Sequence, residues 1–420
     1  MESPAPPFPD APPTPAFPDA PAAPPCSPDS PPTVETQATL PDHLAEEILL
    51  RVPTAADLAR ASMAGPSLRR LIADHAFLRR FRTLHPPPLL GILLNPFLPA
   101  QPPHPSAAAA QTLAGTDFSC SFLPSREQPW TLRDFRDGRA LLCAAPDDCT
   151  LARDVAVCDP LHRRYLLLPP VPQDLSDLVY HCQLFLAPAA TDDGADTAAD
   201  ASMSFRVICL AKYQAQLVLF VFSSSGPLAQ QWHTTVFDGW SALIAETSQG
   251  DDMRSATAFG KRYYVHGCFC WAIPGINKLL MLDIRTMDFS SVNLPPIPWF
   301  NSQVAFVEAT EGRLGMLILS DNRFLHTILV SIGDDPKEWQ IGDVVTLRHG
   351  CCYYSFIGAA GGYLLLQGFP DDPYEMPGTD CFSLNLQIMK LERFCGKEFM
   401  MPLQGHLYVG FPPSLSPPTI

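Results

Sequence analysis

The hydrophobic pattern of the chain has a helical period in one segment near its start. Between residues 39 and 84, apolar side chains first recur every four positions. These positions are Leu40, Leu44, Ile48 and Val52. This spacing puts one apolar side chain per turn on a single face of a helix. The segment is therefore predicted to open with an amphipathic helix.

Proline and glycine divide the rest of this segment into two further short helices. Pro53 ends the first helix, and Gly65 with Pro66 ends the second. Ser67 is then predicted to cap the third. Three short helices in about 45 residues enclose little interior. We therefore expect the bundle to gain stability by docking on another surface.

After the prolines at 86–88 the period changes to that of strands. Apolar runs of strand length follow, separated by turn-forming residues, and no comparably long amphipathic helix interrupts them. The clearest run is Tyr263–Ile273, whose odd positions are predicted to share one face from Tyr263 to Ile273. Other strands are predicted at Phe205–Leu210, Leu217–Phe222, Lys278–Ile284, Arg313–Leu319, Thr327–Ile332, Tyr363–Gly368 and Cys381–Leu386. Residues 88–420 are therefore predicted to be all-β.

A repeat of about 50 residues organises this β region. A strand that ends in Asp, a turn, a second strand and a Leu-Pro-Pro exit occurs at Asp159 and again at Asp283. A glycine followed by a basic residue opens a strand about 21–23 residues before each of these aspartates, at Gly138 and at Gly260. Gly312 with Arg313 is a weaker version, and Gly362 precedes Asn385 by a similar distance. A period near 50 predicts a kelch-like β-propeller of about six four-stranded blades; one or two β-sandwiches are the alternative.

Three segments are predicted to lie outside the packed core. Residues 1–35 hold 14 prolines and no basic residue, which favours a disordered or polyproline-like leader. Residues 99–114 and 188–204 are rich in Ala with Pro or Asp. Both are predicted to be solvated insertions.

Composition limits the classes of partner. The chain carries 28 Lys and Arg against 43 Asp and Glu, for a net charge of −15, which argues against nucleic acid or a membrane as partner. Its 13 cysteines contain no CxxC pair, so buried reduced thiols are expected. No apolar run approaches the ~18 residues of a membrane span. A cytoplasmic or nuclear location is expected.

Motifs for catalysis are missing from the sequence. It contains no nucleophile elbow, phosphate-binding glycine loop, zinc-protease motif or EF-hand loop. The 11 histidines are dispersed, and paired aspartates fall in predicted turns. The sequence therefore predicts no catalytic residue, no metal site and no cofactor.

The helical segment resembles an F-box. The resemblance lies in residues 40–53, 57–62 and 68–77. The first of these segments begins Leu-Pro-Asp-His-Leu. The domain order is similar to that of plant F-box proteins with a kelch-like, F-box-associated propeller. The resemblance implies a multidomain α+β chain: a disordered leader at 1–35, a three-helix F-box at 38–84 and a propeller-like domain at 88–420.

The resemblance also implies a function. Such proteins are substrate-receptor subunits of SCF-type cullin-RING ubiquitin ligases: the F-box binds a Skp-type adaptor, which joins a cullin, and the second domain recruits a target protein. The receptor itself would be non-catalytic. The implied adaptor-binding residues are Leu40, Pro41, Leu44, Ile48, Leu49, Leu50, Pro53 and Leu58. The sequence does not indicate the target or the residues that would bind it.

Two departures from the family pattern leave alternatives open. Leu68 stands where the family commonly has a large aromatic residue, and Pro66 is expected to shorten the third helix. One alternative is an F-box-like scaffold protein that acts without an adaptor. Another is a propeller hydrolase or carbohydrate binder, which would need acids, a histidine or a metal converging in the channel.

Overall fold

The computed structural model describes most of the chain from residue 40 onwards. Residues Asp42–Ile420 form one compact unit. The described residues are 40–53, 55–85, 87–94, 96–144, 154–172, 179–188, 204–213, 216–226, 229–240, 242, 259–295, 303–309, 313–320, 324–330, 339–347, 351–370, 378–397, 405–411 and 418–420. The predicted leader at 1–35 lies outside them, as does most of the predicted insertion at 188–204. Among the described helices, none is both long enough and apolar enough to cross a membrane.

Four helices precede the β region in the described part of the chain, one more than predicted. They are α1 (Asp42–Leu50), α2 (Ala55–Met63), α3 (Pro66–Ile72) and α4 (His75–Leu84). The predicted third helix is split because Asp74 adopts an extended backbone and caps α4, accepting hydrogen bonds from the backbone N–H of Ala76 (2.8 Å) and Phe77 (3.1 Å). Pro66, rather than a residue after Ser67, begins α3; proline suits this position because the first helical N–H has no intrahelical partner.

The described β region consists of five four-stranded antiparallel sheets, here called blades 1 to 5, and one three-stranded sheet. The three-stranded sheet contains β1 (Leu89–Leu93), β2 (Leu98–Pro99) and β23 (His406–Val409). Blade 1 contains β3 (Thr131–Arg136), β4 (Arg139–Ala144), β5 (Asp154–Asp159) and β6 (Arg164–Leu168). Blade 2 contains β7 (His181–Pro188), β8 (Phe205–Lys212), β9 (Leu217–Ser223) and β10 (Trp232–Phe237).

The remaining three blades repeat the same up-and-down order. Blade 3 contains β11 (Arg262–Val265), β12 (Cys268–Ile273), β13 (Lys278–Asp283) and β14 (Phe289–Asn293). Blade 4 contains β15 (Gln303–Glu308), β16 (Leu314–Ser320), β17 (Phe324–Val330) and β18 (Gln340–Thr346). Blade 5 contains β19 (Cys351–Ala360), β20 (Tyr363–Pro370), β21 (Thr379–Asn385) and β22 (Lys390–Lys397).

The sheets are arranged as in a propeller. The first strands of neighbouring blades contact one another, with β3 against β7, β11 against β15 and β15 against β19, while β23 contacts both β19 and β3. Blades 2 and 3 pack through a shared core that includes Phe185 and Trp271. Because β1 pairs with β23, strands from the two ends of the β region form one sheet. The predicted all-β, propeller-like fold is confirmed, but the predicted six blades exceed the five four-stranded blades in the described residues.

The repeated aspartate ends the third strand of its blade and orders the turn that follows. The Oδ1 atom of Asp283 accepts a hydrogen bond from the backbone N–H of Arg285 at 2.7 Å. Asn385 does the same in blade 5, accepting from the N–H of Gln387 at 3.0 Å. Short polar side chains that bond the backbone two residues ahead stabilise tight turns. The repeat therefore reflects the chemistry of the turn after the third strand.

The predicted strand Tyr263–Ile273 is in fact a hairpin. His266 and Gly267 form the turn, with φ angles of +46° and +77°. This two-residue turn pairs Val265 with Cys268, so odd positions of the first strand share a face with even positions of the second. The predicted assignment of all odd positions to one face is therefore wrong.

The spacing of glycines in the predicted repeat also needs correction. Gly138 and Gly362 lie in the turn between the first and second strands of their blades, and both have φ of +79°. In blade 3 that place is taken by Gly267, whereas Gly260 precedes β11. Gly312 lies outside the described residues. The prediction aligned Gly260 with Gly138 because both precede a basic residue.

Two tryptophans join consecutive blades. Trp232 in blade 2 donates its indole N–H to the carbonyl of Pro169, which follows the last strand of blade 1, at 2.8 Å. Trp339, just before the last strand of blade 4, donates to the carbonyl of Asn293 in blade 3 at 2.7 Å. These two tryptophans thus hold neighbouring blades together at their outer edges.

The helices pack on the β region through a small core of their own. Its buried members are Leu49, Leu50, Leu58, Ile72, Phe77, Leu78, Phe81 and Phe411. Phe411 follows β23, and its ring meets Phe81 edge to face at a centroid distance of 6.2 Å. The helical bundle was predicted to dock on another surface, and part of that surface is the end of β23 in the same chain.

A fifth helix corrects the prediction of a solvated insertion at 99–114. This helix, α5 (Ala107–Gln111), buries Ala107, Ala109 and Ala110 and contacts β1, β2 and α2. Alanine allows the helix to approach its neighbours closely because its side chain is small. The segment is therefore part of the packed structure and lies between the helices and the three-stranded sheet.

Candidate functional site

The structure separates the eight predicted adaptor-binding residues into two groups. Five are exposed and three are buried. The exposed ones are Leu40, Pro41, Leu44, Ile48 and Pro53, and the buried ones are Leu49, Leu50 and Leu58. The buried group belongs to the core of the bundle. Only the exposed group can contact another molecule without rearrangement.

Leu44 and Ile48 form an exposed apolar patch on α1, here called the α1 face. They lie one helical turn apart, and their exposed fractions are 45% and 57%. The charged side chains of α1 form ion pairs with the helices behind it: Asp42 lies 2.9 Å from Arg70, and Glu47 lies 3.2 Å from Arg80. These ion pairs are exposed and add little stability. Leu44 and Ile48 therefore lie exposed beside the charged side chains of Asp42 and Glu47 on the same helix.

A second candidate site is a cavity of about 430 Å³ among the innermost strands of the propeller. The cavity is lined mainly by β3, β7, β11 and β19, each of which is the first strand of its blade. The strand β23 of the three-stranded sheet completes the wall. Charged and aromatic side chains from chain positions far apart line it. They are Arg133, Asp134, Phe135, Arg136, His181, Lys261, Arg262, Tyr263, Tyr264, Phe269 and His406.

Asp134 contacts charged and polar groups from three other strands in this cavity. One carboxylate oxygen lies 2.9 Å from Nη2 of Arg262 and accepts the backbone N–H of Leu186 at 2.9 Å. The other lies 3.6 Å from Nδ1 of His406. Burial by itself would raise the pKa of Asp134, but Arg262 and His406 outweigh it and hold the pKa well below its ordinary value. Asp134 is therefore ionised and joins β3, β7, β11 and β23.

Two of the other cations are held by an aromatic ring and by a backbone carbonyl. The guanidinium of Arg136 lies over the ring of Tyr264, 4.1 Å from its centroid. Lys261 donates a hydrogen bond to the carbonyl of Ile357. Desolvation, followed by the charge of Arg262, lowers the pKa of Lys261 to about 8. Its ammonium is thus still mostly protonated at neutral pH.

Two irregular strand positions shape the cavity wall. In β3, Leu132 pairs with Leu142 and Asp134 with Leu141, which leaves Arg133 as an extra residue. In β19, Ile357 is the extra residue between two paired positions. Such bulges change the direction in which neighbouring side chains point and are frequent near functional sites. Both bulged residues line the cavity.

These cavity residues were missed by sequence reasoning. The sequence was expected to offer no converging acid and histidine, yet Asp134, Arg262 and His406 meet although they come from three different sheets. One local signal was available, since Arg133, Asp134 and Arg136 place three charged residues within a single short strand. Among the described residues, no group of three or more His, Cys, Asp or Glu side chains could hold a metal ion.

Comparison with known proteins gives similarity of fold only. No family model matches the chain. No curated protein matches it in sequence. The fold is similar to that of a candidate 6-phosphogluconolactonase from Bacteroides uniformis, with 14% identity, a TM-score of 0.35, and 66% of this chain and 74% of that chain covered.

Two further solved structures are similar at the same level. One is an oligogalacturonate lyase in complex with manganese, with 10% identity, a TM-score of 0.33, and 65% of this chain and 66% of that chain covered. The other is a post-proline cleaving enzyme from Rickettsia typhi, with 7% identity and a TM-score of 0.31. That alignment covers 65% of this chain but only 37% of the peptidase.

These similarities correct one expectation from the sequence. The chain was expected to be a non-catalytic subunit, but the structures that resemble it include a lactonase, a lyase and a peptidase. The fold therefore gives no ground for excluding catalysis. At these identities and TM-scores, the similarities assign no reaction, substrate or site residue to this chain.

Proposed function

We propose that this chain is a substrate receptor of an SCF-type ubiquitin ligase, and that its helices bind a Skp-type adaptor. The observation that supports the proposal is the α1 face. Leu44 and Ile48 are large aliphatic residues exposed on adjacent turns of the helix that resembles the adaptor-binding helix of an F-box. Exposed apolar surface of this kind marks an interaction site more often than isolated apolar residues do.

The energetics of the α1 face fit an interface. Full burial of a Leu or Ile side chain contributes roughly 1.5–3 kcal/mol. Leu49, Leu50 and Leu58 are already buried in the bundle, so they support the face from behind. Leu44 and Ile48 would then provide the new apolar contacts, and substitutions at these two positions would affect the adaptor more than the fold.

Packing of the helices on the propeller supports the same proposal. Phe81 and Phe411 join α4 to the end of β23, and α5 contacts α2. A target bound to the propeller would therefore be held at a fixed distance from the adaptor. A receptor of this kind accelerates ubiquitin transfer by proximity.

The alternative of an adaptor-independent scaffold rests on Pro66 and Leu68. Pro66 begins α3 without breaking it, and Leu68 packs against the core of the bundle as a partly buried side chain. Neither residue belongs to the α1 face. We therefore favour adaptor binding over the scaffold alternative.

Co-assembly with an adaptor and a cullin tests the proposal. The full chain, expressed with a Skp-type adaptor and the adaptor-binding part of a cullin, is expected to elute with both in a single peak on gel filtration. Omission of the adaptor should remove the cullin from the peak. A chain that elutes alone in the presence of both proteins would contradict the proposal.

A further inference from the structure

The charge of the central cavity is opposite to that of the chain. The protein has a net charge of −15, yet the cavity is lined by four cations and one carboxylate among the described residues. The cations are Arg133, Arg136, Lys261 and Arg262. Cations crowded into one cavity repel each other, so such a cluster is destabilising unless negative charge compensates it.

The single carboxylate compensates for only part of this charge. Asp134 forms an ion pair with Arg262, and its other contacts are with His406 and two backbone N–H groups. The cavity thus retains a clear excess of positive charge. Lys261 adds to it at neutral pH, because its pKa of about 8 keeps the ammonium mostly protonated.

Arg136 provides a second, independent indication of a ligand. Its guanidinium is held over Tyr264, and its Nε atom is buried with no hydrogen-bond partner among the described residues. A buried donor without a partner is costly, and in native proteins it commonly indicates an ion or other group that completes the site. A planar guanidinium fits an oxyanion best, since it can donate two parallel hydrogen bonds.

The size of the cavity indicates the kind of anion. A volume of about 430 Å³ lies within the range of sites that enclose a small organic molecule. A phosphate group carries close to two negative charges at neutral pH, which suits several cations better than a single carboxylate would. We propose that the central cavity of the propeller is a binding site for a small phosphate-bearing molecule.

Calorimetric titration with inorganic pyrophosphate at constant ionic strength tests this site. The full chain is expected to bind pyrophosphate saturably, and Arg136→Met is expected to weaken binding at least ten-fold. Arg126→Met is the matched control, because Arg126 lies outside the cavity in an ion pair with Asp154 at 2.9 Å. Its affinity should equal that of the wild type. No saturable binding by the wild type, or an equal loss in Arg126→Met, would overturn the proposal.

A folding check and a second ligand complete the titration experiment. Thermal unfolding of each variant checks that it is folded, and Lys261→Met replaces Arg136→Met if the latter does not fold; the same ten-fold loss is expected. A peptide containing phosphoserine distinguishes a small ligand from a protein segment with the same chemistry. The peptide should bind at least ten-fold more weakly than pyrophosphate, and equal or tighter binding of the peptide would overturn the assignment to a small molecule.

Discussion

Replacement of Ile48 by aspartate is expected to lower the affinity of the chain for a Skp-type adaptor at least 100-fold. Ile48 is 57% exposed in the free chain, so the substitution removes no core packing. In the proposed complex, however, the new carboxylate would be buried against apolar surface, which costs several kcal/mol. A 100-fold loss corresponds to about 2.7 kcal/mol. Surface plasmon resonance with immobilised adaptor measures the change.

Ile388→Asp is the matched control for this variant. Ile388 is also an isoleucine exposed to 66%, but it lies in the turn between β21 and β22 of blade 5. The control should bind the adaptor with wild-type affinity and unfold at the wild-type temperature. If both variants lose adaptor binding, or if neither does, the α1 face is not the interface.

Replacement of Asp134 by alanine is expected to destabilise the protein by about 3–5 kcal/mol, because it leaves the charge of Arg262 buried without its partner. The ion pair is 2.9 Å long, and both side chains are largely buried. The backbone N–H of Leu186 also loses its acceptor. Urea unfolding followed by tryptophan fluorescence measures the loss, since Trp271 is buried in the neighbouring core.

The exposed pair of Asp154 and Arg126 provides the control. Its separation is the same 2.9 Å, but both side chains are about one-third or more exposed. Asp154→Ala should therefore cost no more than about 1 kcal/mol. The double variant Asp134→Ala, Arg262→Met should regain part of the stability lost by Asp134→Ala. Equal losses in the two single variants would show that Asp134 is not a buried structural charge.

The pH dependence of stability follows from the same carboxylate. The pKa of Asp134 is lower in the folded chain than in the unfolded chain. Its contribution is therefore complete above the ordinary aspartate pKa and is lost as the pH falls towards the lowered value of the folded state. In acid, the difference in stability between wild type and Asp134→Ala should accordingly shrink.

Local periodicity predicted part of the elements of the fold. Apolar residues four positions apart located α1, and short apolar runs such as Leu217–Phe222 located strands correctly. Errors occurred where one residue changed the local geometry. Asp74 split a helix by capping, and His266 with Gly267 divided one predicted strand into a hairpin.

The closure of the propeller by strands from the two ends of the β region could not be predicted from local periodicity. The pairing of β1 with β23 joins residues more than 310 positions apart, such as Leu93 and His406, and no local pattern encodes it. For the same reason, the cavity was not anticipated. Asp134, Arg262 and His406 each resemble an ordinary polar residue in a strand, and only the ring brings them together.

Hydrogen exchange on the full chain, with and without saturating Skp-type adaptor, tests the central claim most directly. A bound adaptor covers the α1 face and stabilises the helix beneath it. The amides of α1 (Asp42–Leu50) should then exchange at least ten-fold more slowly, while those of the outer strand β22 (Lys390–Lys397) should be unchanged. Unaltered exchange in α1 at saturating adaptor, or protection confined to the propeller strands, would contradict the proposed docking of the helices.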